Sequence, residues 1–276
     1  MQGTTIGFIG GGNMARSLVG GLLADGCERD SVRVADPDSD QLAALSRQFG
    51  IATTQDNLSA AEGADLVVFA VKPQMLREVA LQLAPAWVGR KPLALSIVAG
   101  VKCADINAWI GKDAPLVRTM PNTPALVQSG ATALYANRLV SEEQKQLAES
   151  VMRAVGLTVW LEDEALMDAV TALSGSGPAY FFFVMEAMQA AGERLGLPAD
   201  CARLLTLQTA FGAAKLALES SDEVSALRKR VTSPGGTTEQ AIETLRNGHL
   251  ESLFQDALQS AHKRAGELAV AFGSNP

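Results

Sequence analysis

Thr4-Thr5-Ile6-Gly7-Phe8-Ile9-Gly10-Gly11-Gly12-Asn13-Met14-Ala15 is the stretch whose reading decides the fold. Apolar, β-branched residues run straight into three glycines, and a helical pattern over Asn13–Ala24 follows at once. Gly10, Gly12 and Ala15 fit the spacing G-x-G-x-x-[G/A], which is weak alone but informative between a strand and a helix. Gly10 suits the tight turn, Gly12 lets backbone come close to a pyrophosphate, and Ala15 lets the helix lie close on the strand. Exposed N–H groups at the helix start then bind phosphate, and Gly11, Asn13 and Met14 are expected to line the same cofactor site. The segment predicts a dinucleotide site opening a parallel sheet.

Working outward, strand and helix patterns alternate through the first 160 or so residues. Strands are expected at Ser31–Ala35, Ala64–Val71, Leu93–Val98 and Leu116–Arg118, with a helix at Ser39–Phe49. Ala131–Tyr135 and Thr158–Leu161 extend the edge, with a helix over Ser141–Val155 between them that opens on a good N-terminal signal. This alternation predicts an α/β fold: an N-terminal Rossmann-type, mostly parallel sheet with helices on both faces. After Glu162-Asp163-Glu164 strand patterns vanish and helical spacing continues to the end, so an all-α second domain is expected. The boundary is set near 163, giving domains of 1–163 and 164–276.

Loops after the parallel strands supply the other candidate cofactor contacts. Asp36 follows the second strand, where a carboxylate accepts hydrogen bonds from a ribose diol and repels a 2′-phosphate. NADH is favoured on that ground alone, but the choice between NADH and NADPH stays open. Asn57, Ala70, Val71, Lys72 and Pro73 form the next group, the last four at the end of the longest apolar strand. Met120, Pro121 and Asn122, in Met120-Pro121-Asn122-Thr123-Pro124, are expected to wall the nicotinamide pocket.

Composition narrows the function classes. The chain has 276 residues, is 47% hydrophobic and carries a formal charge of −7, which fits a compact globular protein and disfavours nucleic acid as a partner. Three scattered cysteines, Cys27, Cys103 and Cys201, indicate thiols in a reducing compartment, and two histidines offer no metal site. No signal-peptide pattern or membrane span is read, so a cytoplasmic location is expected. The helical half is rich in alanine and holds Phe181-Phe182-Phe183. So small a unit cannot easily bury such residues alone, which predicts a homodimer.

Two glycine-rich segments precede helices in this half: Ser174-Gly175-Ser176-Gly177-Pro178 and Thr232-Ser233-Pro234-Gly235-Gly236-Thr237-Thr238. Hydroxyls and free N–H groups at a helix N-terminus favour anions, a plain helix cap being the alternative. Together with Gly7–Met14, Val71-Lys72-Pro73, Met120–Pro124 and Leu173–Tyr180, the run Val231–Ala241 resembles the pyrroline-5-carboxylate reductases in motif order over nearly the whole chain. The resemblance implies reduction of a cyclic imine acid to proline by NADPH or NADH. It also implies helical dimerisation, with decamers of five dimers in some members. It assigns Thr238 to the imine nitrogen, and Ser233 with the amides of Gly235, Gly236 and Thr237 to the substrate carboxylate, Ser176 joining the substrate side. Asp36 departs in part from the family's usual serine or threonine. An iminium carbon accepts hydride readily, so no metal is required. Two other readings are a reductase for a six-membered cyclic imine acid and a non-enzymatic dinucleotide sensor. A β-hydroxyacid dehydrogenase would want a lysine within Met167–Tyr180, which has none.

Overall fold

In the computed structural model, residues 3–111 and 113–273 are described. They form two compact units, one running to Ser176 and including the chain from Ala261, the other Gly177–Ser260. The secondary structure itself changes from mixed to all-helical after Leu161, so compactness and element type divide the chain at different points.

The first unit holds an eight-stranded sheet. In chain order its elements are β1 (Ile6–Ile9), α1 (Asn13–Ala24), β2 (Val32–Ala35), α2 (Ser39–Phe49), β3 (Ala52–Thr54), α3 (Asn57–Ala61), β4 (Leu66–Phe69), α4 (Pro73–Leu83), β5 (Leu93–Ser96), α5 (Cys103–Ile110), β6 (Leu116–Met120), β7 (Gly130–Ala136), α6 (Glu142–Arg153), β8 (Gly156–Leu161) and the short α7 (Met167–Val170). The strand order is β3-β2-β1-β4-β5-β6-β7-β8. β7 runs antiparallel to β6, and every other pairing is parallel. Strand alternation loads both faces. Leu66 and Val68 of β4 join Leu18, Leu22 and Leu45 in one core; Val67 and Phe69 join Leu76, Leu83 and Ile106 in the other. Helices therefore cover both sides, as a buried parallel sheet requires.

Local signals explain the helices. Asp38 caps α2 by accepting from the amides of Asp40 and Gln41, and Gly50 ends it in the left-handed region at φ 67°. Ser141 and Gln144 form a capping box at α6. Pro73 sits in the first turn of α4, where its missing N–H costs nothing.

A buried ion pair ties the end of the sheet region back to its middle. Arg118 on β6 donates from Nη1 to Glu164 Oε1 at 3.0 Å, and the same oxygen accepts from the Cys103 amide at 2.7 Å. The Arg118 side chain is 5% exposed and Glu164 21%. Burial, first, and the Glu164 charge push the Cys103 thiol far above its ordinary range, so it is an inert core group. Glu164→Ala strands a buried guanidinium and an amide, and should cost about 3 kcal/mol, measurable by thermal denaturation.

The second unit comprises α8 (Gly177–Arg194), α9 (Ala199–Glu219), α10 (Val224–Arg230), α11 (Thr237–Asn247) and the first part of α12 (Leu250–Gly273). Its apolar side chains are largely uncovered: Phe181, Phe182 and Phe183 are 67%, 62% and 72% exposed. Among its described residues only small or polar ones are buried, such as Ala202 and Thr206. Apolar exposure on this scale marks an association surface.

Candidate active site

The sheet order reverses direction between β1 and β4, and in open parallel sheets ligands bind at the carboxyl ends of the strands flanking such a point. The loops after β1 and β4 meet there. A Cβ on Gly10 would lie 2.5 Å from the Ala70 carbonyl oxygen, and Gly10 has φ +99°. The Gly10 amide donates to Ala35 O at 2.8 Å, and the Ala70 amide to Ile9 O at 2.8 Å. Gly12 caps α1, and a Cβ there would meet nothing within 4 Å. Gly10 is thus needed for protein packing, while Gly12 leaves open space beside the helix N-terminus. Free first-turn amides over open space suit a pyrophosphate, so these residues fit a dinucleotide.

Asp36 is busier than its sequence position suggests. Its Oδ2 accepts from the Gly11 amide at 2.8 Å and from Gln41 Nε2 at 3.0 Å, and its Oδ1 accepts from the Asp38 amide at 2.9 Å. The carboxylate braces the glycine loop as well as standing at the end of β2. Nothing in the local pattern signals this, because Gly11 lies 25 residues away.

Val71, Lys72 and Pro73 follow β4 as expected, with Lys72 exposed at the N-cap of α4 and in no ion pair among the described residues. Asn57 opens α3, where its Nδ2 lies 3.5 Å from Gln82 Oε1. Met120 ends β6, and Pro121 and Asn122 follow it. Asn122 has both ends of its amide engaged: Nδ2 donates to Ser174 O at 3.0 Å, and Oδ1 accepts from the Ala131 amide at 2.9 Å. Ser174 lies in a π-helical turn over Thr171–Gly175, closed by Ser176 N donating to Thr171 O at 2.8 Å.

In the second unit, α11 begins at Thr237 with Gly236 as its N-cap. Gly235 adopts φ +72°, which a side chain would strain. Two of the three amides expected to hold substrate already have acceptors within the loop. Gly236 N donates to Ser233 O at 3.0 Å, and Gly235 N donates to Glu239 Oε2 at 2.7 Å. The N–H groups of Thr237 and Thr238 fall in the first turn, where no helical acceptor exists. The hydroxyls of Ser233 and Thr238 have no hydrogen-bond partner among the described residues. Sequence reasoning missed Glu239; its place three residues after the N-cap was the available signal. No group of three metal-ligating side chains occurs among the described residues.

Residues 164–268 match the pyrroline-5-carboxylate reductase dimerisation family. Residues 5–100 match the family described as coenzyme F420-dependent NADP oxidoreductases. The pyrroline-5-carboxylate reductase of Pseudomonas aeruginosa is 50% identical over 273 residues, covering 99% of this chain and 100% of that one. The chain belongs to the pyrroline-5-carboxylate reductase family. It is an NAD(P)H-dependent oxidoreductase that reduces 1-pyrroline-5-carboxylate to proline, the last step of proline biosynthesis. Among solved reductases, that of Coxiella burnetii superposes with a TM-score of 0.93 at 49% identity, covering 96% of this chain and 98% of that one. The Plasmodium falciparum reductase, solved with NADP bound, gives 0.86 at 26% identity, covering 98% and 99%. The dimerisation family makes this reductase an oligomer, and no helix among the described residues is long and apolar enough to cross a membrane.

Proposed function

We propose that the loop Ser233–Thr238 grips the ring carboxylate of 1-pyrroline-5-carboxylate and that Thr238 hydrogen-bonds its imine nitrogen. The observation that carries this is the Glu239 carboxylate at 2.7 Å from the Gly235 amide, beside unpaired Ser233 and Thr238 hydroxyls. A carboxylate oxygen held by a backbone amide of this loop supports a site for the acid group of the substrate. The first-turn amides of Thr237 and Thr238, at the positive end of α11, supply further donors to an anion.

The nicotinamide, when bound, supplies hydride to the imine carbon. The C=N electron pair then moves to nitrogen, which takes up a proton to give the ring amine. Thr238 holds that nitrogen and fixes the face presented for attack, while Ser233 and the amides fix the other end of the ring. Gly10, Gly11, Gly12, Asn13 and Met14 hold the dinucleotide on the first unit, with Asp36, Asn57, Ala70, Val71, Lys72, Pro73, Met120 and Pro121 around it. Crystals grown with L-proline test the assignment. Its carboxylate should lie within hydrogen-bonding distance of Ser233 Oγ and the Thr237 or Thr238 amide, and a ligand remote from this loop rejects it.

The same reading makes the helical region 164–276 a substrate-binding and dimerisation domain, with five dimers assembling into a decamer. The exposed phenylalanines of α8 support it. Three free cysteines support a cytoplasmic setting. Light scattering should find dimers or decamers, and a stable monomer at micromolar concentration refutes the assembly.

A further inference from the structure

We infer that Asn122 is a positioning residue, which sets the segment Ser174-Gly175-Ser176 against the Met120 wall through the π-helical turn. Three observations meet here. The turn gives way to α8 at Gly177, and in that α-helical register the Ser174 carbonyl would accept from the residue four positions on, Pro178, which has no N–H. The Asn122 amide donates to this carbonyl at 3.0 Å, supplying what the proline lacks. The other end of the same amide accepts from Ala131 at the start of β7 at 2.9 Å, so the side chain is held from both sides and acts as a rigid strut.

The strut ends where packing is closest. A Cβ on Gly175 would come 2.7 Å from Met120 Cε, so the methionine lies directly on the turn. The turn is π-helical, a form that occurs mostly as single turns within α-helices and is frequent at functional sites. Ser176 closes it by donating its amide to Thr171 O at 2.8 Å, and its hydroxyl has no partner among the described residues. Asn122 therefore couples the loop after β6 to the position of the Ser176 hydroxyl. With both amide ends engaged in protein, its work is to hold the turn, and the cofactor contacts fall to Met120 and Pro121. The inference rests on the proposal that Met120 lines the nicotinamide pocket and that Ser176 faces substrate.

Asn122→Asp tests it. The carboxylate still accepts from Ala131 but repels the Ser174 carbonyl. Because a shift of about 1 Å near a reacting centre costs about 10²-fold, kcat/KM for the imine should fall by about that factor, with the dissociation constant of NADPH held within about threefold. A loss of cofactor affinity in proportion to the loss of activity would make Asn122 a cofactor ligand and overturn the inference, as would unaltered kinetics. Crystals of the variant separate the two ways of failing. An unmoved turn counts against Asn122, whereas a displaced turn with normal turnover counts against the placing of Ser176. Adding Pro178→Ala to the variant returns a backbone donor to Ser174 and carries the test if the single variant is unstable. Recovery of about tenfold in kcat/KM supports the strut, and no recovery removes it.

Discussion

Thr238→Ala should lower kcat for 1-pyrroline-5-carboxylate by about 10²–10³-fold, the usual cost of one hydrogen bond made to charge developing in a transition state. The affinity for NAD(P)H should stay near that of the parent, because Thr238 stands in the second unit and the glycine loop in the first. The fold should also survive. Thr238 is only half-buried and its hydroxyl has no partner among the described residues, so its removal leaves nothing unpaired. Steady-state kinetics with cofactor titration by fluorescence reads both quantities. Turnover at the parent rate would strike Thr238 from the reaction and leave the imine to be protonated from water.

Gly10→Ala should sharply weaken cofactor binding. The new carbon would sit 2.5 Å from a backbone carbonyl oxygen, at φ +99°. The dihedral alone costs about 1–3 kcal/mol. The contact cannot be relieved by turning a side chain, since Ala70 O is a backbone atom directly after β4. The two loops must part, and they are the two that frame the pyrophosphate. Cofactor affinity should fall by well over tenfold, each tenfold being about 1.4 kcal/mol, and the melting temperature should drop with it. A Gly12→Ala control should spare stability, because a Cβ there meets open space. Equal melting temperatures for Gly10→Ala and the parent would contradict this account of the crevice.

Much of this architecture is legible in the sequence, and the illegible parts share a physical cause. The bounds of α1 and α2 can be read off because apolar spacing runs their full length, and for α2 a capping aspartate and a left-handed glycine mark the ends. β4 is legible as an apolar run, but the run Ala64–Val71 overstates it, since the strand itself is Leu66–Phe69. By contrast β3, Ala52-Thr53-Thr54, is three residues long with no apolar pattern, and it exists because β2 offers a parallel edge. α3 has only five residues, and α5 lies in a stretch without a clear polar face. In the site, the glycines were readable from spacing because their constraint is local. The Asp36–Gly11, Arg118–Glu164 and Asn122–Ser174 contacts join residues 25, 46 and 52 apart, and no local pattern announces which distant atom will need a partner.

The brace that Asp36 gives the glycine loop has a consequence for how cofactor choice can change in this lineage. Where the acid after the second strand serves only the ribose, replacing it to admit a 2′-phosphate leaves the rest of the loop as it was. Here the same carboxylate holds the Gly11 amide and the Gln41 side chain, so exchanging it loosens the turn that must receive either dinucleotide. Discrimination and scaffold integrity are welded into one side chain. A switch of coenzyme at this position is therefore a two-step path, in which a substitute tether for Gly11 has to arrive before, or together with, the loss of the acid.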